Sequence, residues 1–166
     1  MKEIFDGVKY FLDLGNRNKK MQENEFVVDT MNLQKGIEPI MQEWRTKEHF
    51  FLVDDAPVCS ISMNRAGGFF DNRTYVCHII SRVNTRFGLE EYEKKMDFVR
   101  ELYAEFLERL VFDKVKLRDT ENIYISTERI YYKEPGVAAY GGAAGLYFQV
   151  TMSQPKNLEY RESCWV

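Results

Sequence analysis

The chain has 166 residues, of which 45% are hydrophobic and 14% aromatic, and its 23 basic and 26 acidic residues give a formal charge of -3. A chain of this length favours one well-packed domain over residues 1–166 rather than two. The balanced charge excludes general electrostatic binding to nucleic acid or to an anionic membrane. No stretch approaches the roughly 18–20 apolar residues of a membrane span, so no membrane partner is expected.

Helical spacing appears at the N-terminus, in Ile4, Val8, Phe11 and Leu12. The pattern predicts a short amphipathic helix over residues 3–14 that ends at Gly15. The polar residues 16–24 then predict a surface linker. The apolar stretch at the N-terminus contains acidic residues and lacks the pattern of a secretory signal peptide. We therefore expect a soluble protein.

A second helical pattern runs from residue 30 to about residue 47. Gly36 and Pro39 interrupt it, although Pro39 fits the first turn of a helix. Residues 1–47 are therefore predicted to form an N-terminal helical segment.

The middle of the chain is rich in β-branched and aromatic residues and predicts three strands, over residues 49–53, 58–63 and 74–83. Turn-forming residues separate them, so an antiparallel meander is the simplest arrangement. A long helix is predicted next, over residues 89–114, from apolar residues that recur three or four positions apart.

The last third contains two predicted strands, over residues 123–132 and 146–153, joined by a loop of small residues from Lys133 to Gly145. Most hairpin loops have about 2–5 residues, so a loop of this length is typical of a contact loop or a disordered excursion. A tryptophan close to the C-terminus either packs on the domain or docks on a partner. The candidate contact residues are Val137, Ala138, Ala139, Tyr140, Gly141, Gly142 and Trp165.

This order of elements predicts an α+β fold, with an antiparallel or mixed sheet of about five strands packed against one long helix and additional N-terminal helices. The α+β core is expected over residues 48–153, followed by a C-terminal tail over residues 154–166.

Signals for chemistry are weak. Asp54 and Asp55 follow an apolar run, as metal-binding carboxylates do, but the following Ala-Pro favours a turn. Cys77 and His78 are adjacent, and adjacent side chains on a strand point to opposite faces, which favours a buried thiol over a nucleophile and base pair. We therefore predict no catalytic, metal-binding or cofactor-binding residue and no cofactor.

The three cysteines, Cys59, Cys77 and Cys164, form no Cys-x-x-Cys pair, so reduced thiols in a cytoplasmic setting are expected. The glycines of the small-residue loop precede a strand rather than a helix, which argues against phosphate binding. Four basic residues lie near the tyrosines of the last third: Lys114, Lys116, Arg118 and Arg129. Acidic residues are interspersed among them, so they indicate at most a local patch for nucleic acid.

One resemblance covers residues 48–153. An opening strand at residues 50–53, a strand at 74–82 followed directly by a long helix, and the strands at 127–132 and 145–150 on either side of a glycine-containing loop are similar to the tail-terminator or tail-completion (head-tail joining) proteins of tailed bacteriophages. The similarity lies in the order of the elements and in their general sequence character, and it includes no catalytic motif.

The resemblance implies a non-enzymatic virion protein, assembled in the host cytoplasm, that forms a ring, commonly a hexamer or larger. The ring would end the tail or join it to the neck, with tail-tube or neck and connector proteins as partners. The small-residue loop would pack on a neighbouring subunit or line the lumen, where it would contact passing DNA without sequence preference.

Two alternatives stay open. One is a small non-enzymatic adaptor of a phage-like or contractile injection assembly. The other is a hydrolase that uses Asp54, Asp55 or Cys77, which would need a pocket that gathers polar groups. Tyr140→Asp is expected to separate ring from adaptor, since a contact loop would lose assembly while the fold stays intact.

Overall fold

A computed structural model of the protein describes residues 4–32, 36–84 and 88–158. The helices are α1 (Gly7–Arg17), α2 (Lys19–Glu23), α3 (Ile37–Glu43) and α4 (Gly88–Glu121). The strands are β1 (Val27–Met31), β2 (His49–Asp54), β3 (Val58–Met63), β4 (Phe69–Ser81), β5 (Tyr124–Ile125), β6 (Tyr131–Lys133) and β7 (Ala144–Lys156). The α+β prediction is confirmed, with seven strands in a mixed sheet rather than about five.

The sheet is organised around the pair β4 and β7, which have 13 residues each and are antiparallel from Phe69 opposite Lys156 to Ser81 opposite Ala144. The other edge of β4 is shared by two strands, β2 along its second half and β3 along its first half. The predicted meander is therefore wrong in one respect, because β2 and β3 run in line and both pair with β4. Strand β1 lies parallel to β2, which makes the sheet mixed.

The main core lies on the face of the sheet that α1 and α4 cover. Phe51 of β2 and Phe106 of α4 stack there with ring centroids 4.7 Å apart, and both are almost completely buried. Helix α4 has 34 residues, so it is about 50 Å long and extends seven residues beyond the predicted end at residue 114. Leu117 in this extension and Ile123 beyond it belong to the same core.

Within the part of the chain that the structure describes, the opposite face of the sheet is covered at one end, by α3 and by a short 3-10 helix (Val137–Tyr140). A second, smaller cluster of buried residues fills this end: Ile40, Met41, Phe50, Leu52, Ile80, Tyr140 and Ala143.

The N-terminal predictions need three corrections. Helix α1 continues through Gly15 instead of ending there. The role of this glycine is a close approach to β2, since a Cβ atom at this position would lie 2.6 Å from Cδ1 of Phe51. The predicted linker contains α2, whose first turn is capped by the side chain of Asn18. The segment predicted to be helical contains β1, whose five residues are all half-buried and show no clear alternation.

The prediction for α3 was better. The helix begins after Gly36, and Pro39 lies in its first turn as expected. It ends at Glu43, before the predicted residue 47.

The predicted strand over residues 123–132 is two short strands, β5 and β6, with an irregular segment between them. Both pair with the edge of β7 that faces away from β4. Within the described residues, no helix is long and apolar enough to cross a membrane.

Candidate functional site

Tyr140 was predicted to lie on an exposed contact tip, and this is wrong for its side chain. The ring is 2% exposed within the second cluster, and its hydroxyl oxygen lies 3.2 Å from Nδ1 of His78. Burial raises the pKa of this tyrosine. The small residues beside it have a packing role, since a Cβ on Gly145 would lie 2.9 Å from both the Ile79 carbonyl oxygen and the Tyr140 ring.

The structure describes the other predicted contact residues to different extents. Ala139 and Gly141 are exposed and Gly142 is half-buried, with both glycines at positive φ in the turn before β7. Val137 and Ala138 form the start of the 3-10 helix, and their side chains lie outside the description, as does the whole of Trp165. A contact role for these residues stays a prediction.

The residues considered for chemistry lie apart. Asp54 accepts a hydrogen bond from the Ala56 amide at 2.9 Å, which confirms the predicted turn. Cys77 is completely buried in the main core, where burial raises its pKa well above the usual range, and His78 lies on the opposite face. Among the described residues, no three or more His, Cys, Asp or Glu side chains come together as metal ligands would.

Both histidines are internal. His49 begins β2, stacks on Phe26 at 5.0 Å and lies 3.0 Å from the Ser81 hydroxyl through its Nδ1. Burial is the main cause that lowers the pKa of His49. Burial also lowers the pKa of His78 to about 4, an effect that Asp54 partly opposes.

A small cleft of about 260 Å³ lies between α1 and α4, and three of its polar lining residues, Asn18, Glu105 and Arg109, form hydrogen bonds within the fold. Asn18 donates to Glu105 at 2.9 Å, and Arg109 donates to the buried Asp113 at 2.8 Å. Tyr10 donates to the same Asp113 oxygen from α1 at 2.9 Å. The bonds from Asn18 and Tyr10 join the N-terminal helices to α4, whereas the bond from Arg109 lies within α4.

One exposed apolar feature is a β-arm, which consists of β3, the turn at residues 64–68, residues 69–74 of β4 and residues 151–156 of β7. All six residues of β3 are exposed, and no residue from 58 to 74 belongs to either core cluster. The large exposed apolar side chains of the arm are Val58, Ile61, Met63 and Phe69, with exposures of 70%, 48%, 64% and 36%.

The two faces of the β-arm differ in character. Residues opposite each other in an antiparallel pair point to the same face, so Ile61, Met63 and Phe69 share the side of the sheet on which α4 lies. That side also carries the charged residues of the arm's strands, where Asp71 forms ion pairs with Arg73 at 3.4 Å and with Lys156 at 3.6 Å. The other face has no charged strand residue and contains Val58 and Phe70 beside polar side chains. There Asn72 donates to the Ser62 hydroxyl at 2.8 Å and accepts from Ser153 at 2.7 Å.

Hydrogen bonds also order the tip of the arm. The Asn64 side-chain oxygen accepts from the amides of Ala66 and Gly68 at 3.0 and 2.8 Å, and Gly67 has a φ of 82°. The arm is thus a defined hairpin with paired strands, and its apolar side chains Val58, Ile61, Met63 and Phe69 are exposed.

A second apolar feature, the α4 groove, lies between α4 and the segment at residues 127–134, with a volume of about 600 Å³. Its apolar lining comes from Tyr103, Leu107, Val111, Ile130 and Tyr132. The only charged residues in the lining, Arg100 and Glu134, bind each other through two hydrogen bonds of 2.8 Å. These bonds from the guanidinium lower the pKa of Glu134.

The β-arm and the α4 groove lie at opposite edges of the sheet. Strand β3 occupies the outer edge of β4, whereas β6, beside the groove, occupies the outer edge of β7. The sequence does not predict the exposure of the arm, because the alternation of Ile61 and Met63 with serines is the pattern of a half-buried strand. The exposure becomes evident from the fold, in which none of the helices within residues 4–32, 36–84 and 88–158 covers β3.

Comparisons with known proteins add no family. No protein-family model matches the chain, and no curated protein matches it.

Proposed function

We propose that this protein is a structural subunit that assembles head to tail with copies of itself into a ring. The observation that carries the proposal is the β-arm, an ordered hairpin whose apolar side chains are exposed. Soluble proteins seldom expose contiguous apolar patches unless another molecule covers them.

The open edge of β3 adds to this reasoning. Edge strands in isolated proteins are commonly protected by lysine, proline or a bulge, because their free amides and carbonyls pair readily with other chains. Strand β3 reads Val-Cys-Ser-Ile-Ser-Met, without charge or proline, and pairs with β4 without a bulge. An edge of this kind suits a chain that works within an assembly.

The position of the two apolar surfaces is compatible with a ring. Different surfaces at opposite edges of one subunit give a heterologous contact, which generates a closed ring when the rotation between neighbours closes. The similarity of element order to phage tail-terminator proteins supports a ring at the head-tail junction of a virion, in contact with tail-tube or neck proteins. Exposed basic residues on α4, such as Lys114 and Lys116, provide for non-specific contact with DNA in the lumen.

The experiment is a light-scattering mass measurement across a concentration series, with electron microscopy of the large species. A closed ring of about six copies is expected. A single-chain mass at every concentration would contradict the proposal and favour the adaptor alternative.

A further inference from the structure

We propose that the β-arm of one copy binds in the α4 groove of the next copy. This inference rests on the proposed function and adds the two surfaces that form the contact. The occupant of the groove is therefore a second copy of this chain.

A chain cannot fill its own groove with its own arm. Strands β4 and β7 lie between β3 and β6, and neighbouring strands are about 4.8 Å apart, so the two edges are separated by about 14 Å of continuous sheet. Each copy thus carries one donor surface and one acceptor surface on opposite sides, as a head-to-tail contact requires.

The chemistry of the two surfaces matches. Ile61, Met63 and Phe69 project from the arm, and the groove presents aromatic and aliphatic side chains. Strand β3 has no charged residue, and the groove's Arg100 and Glu134 already bind each other. Docking would consequently bury no unpaired charge from β3 or from the groove, which would otherwise be strongly unfavourable.

Backbone pairing can extend the contact. Among the described strands, β6 pairs only with β7 and β3 pairs only with β4, so each has an open edge. Addition of a strand to an open edge is a common mode of protein recognition, in which main-chain hydrogen bonds give affinity and alternate side chains give specificity.

Cysteine cross-linking tests the inference directly, because β3 carries the exposed Cys59. The donor variant is Cys164→Ser, which keeps Cys59. The acceptor variant is Cys59→Ser, Cys164→Ser and Val111→Cys, which places a thiol at a groove residue that is 59% exposed. The matched control acceptor carries Leu89→Cys instead, at a position that is 72% exposed and outside the groove lining.

Donor and acceptor are mixed, assembled and oxidised, and disulfide dimers are counted by mass spectrometry. We expect a link between Cys59 and the new thiol at 111, with a yield about tenfold or more above the Leu89→Cys control, because a seated arm raises the effective thiol concentration. Light scattering on the same mixtures reports assembly independently.

The outcomes separate the two proposals. Assembly without this link, or assembly with Cys59 linked to Cys59 of another donor, overturns the inference while the proposed function stands. The second pattern would indicate arm-to-arm pairing. Single chains throughout the series overturn both.

Discussion

The hydrogen bond between Tyr140 and His78 joins the short 3-10 helix to β4 on the less covered face of the sheet. Removal of the hydroxyl in Tyr140→Phe is expected to lower the free energy of unfolding by about 1 kcal/mol. Tyr140→Asp would place a carboxylate in the same buried space and lose the ring packing, at a cost of about 4 kcal/mol or more. Urea unfolding of both variants measures the difference.

This result would change the meaning of Tyr140→Asp as an assembly test. Loss of assembly in that variant would follow from a damaged fold and would not identify a contact. A variant that unfolds like the wild-type protein would contradict the buried position of Tyr140.

His78 should make stability depend on pH. Burial lowers its pKa to about 4 in the folded state, against about 6.5 in an unfolded chain. Between these values the unfolded state binds more protons, so the free energy of unfolding falls as the pH drops from about 6.5 to 4, by up to about 3 kcal/mol. Above pH 6.5 this contribution is fully present.

The measurement is urea unfolding at a series of pH values for the wild-type protein and His78→Gln. The variant should lose much of the slope over this window, because glutamine does not titrate. His49→Gln is the matched control for the second buried histidine, and equal slopes in the wild-type protein and His78→Gln would contradict the assignment.

At the scale of elements, the start of β7 depends on a residue without a side chain. Gly145→Ala would place a Cβ 2.9 Å from the Ile79 carbonyl oxygen and from the Tyr140 ring, and we expect a loss of about 1–3 kcal/mol in unfolding free energy. Gly36→Ala is the control, since no atom lies within 4 Å of a Cβ there, and it should cost below about 1 kcal/mol at this helix N-cap. Equal losses would contradict the packing explanation.

The sequence predicted the elements with strong periodicity. Strand β3 was predicted with its observed bounds, and most of β7 alternates because one of its faces is buried in the main core. The second half of β4 was recognised from its β-branched and aromatic residues and is buried on both faces. Helix α4 has a stripe of apolar residues on the sheet, so its existence was evident. Its end was not, because the exposed Phe112 and Val115 blur the stripe beyond residue 110.

The elements that the sequence missed are held by tertiary contacts rather than by local pattern. Strand β1 has five half-buried residues without alternation and is defined by its pairing with β2. Strands β5 and β6 have two and three residues, too few for a periodic signal. The composition of the small-residue loop predicts a contact role and does not reveal that Tyr140 packs between α3 and the sheet.

On the scale of the whole molecule, the protein has one well-covered sheet face, one partly covered face and two apolar surfaces at opposite edges. Residues 58–74 of the β-arm belong to neither core cluster, so covering their exposed apolar side chains would stabilise an assembly. Burial of apolar surface contributes about 25 cal/mol of stabilising free energy per Å², so covering these side chains favours association with a partner.

The central claim is that the apolar face of the β-arm drives self-assembly, and the mass of an arm variant tests it most directly. Ile61→Lys combined with Met63→Lys changes two exposed side chains, so unfolding free energy should stay within about 1 kcal/mol of the wild-type value. Leu89→Lys is the matched control, an exposed apolar residue on α4.

Light scattering of the three proteins at equal concentrations gives the answer. We predict a ring of the same mass for the wild-type protein and Leu89→Lys, and single chains for the double arm variant with its fold intact. A double arm variant that forms the same ring as the wild-type protein would contradict the claim.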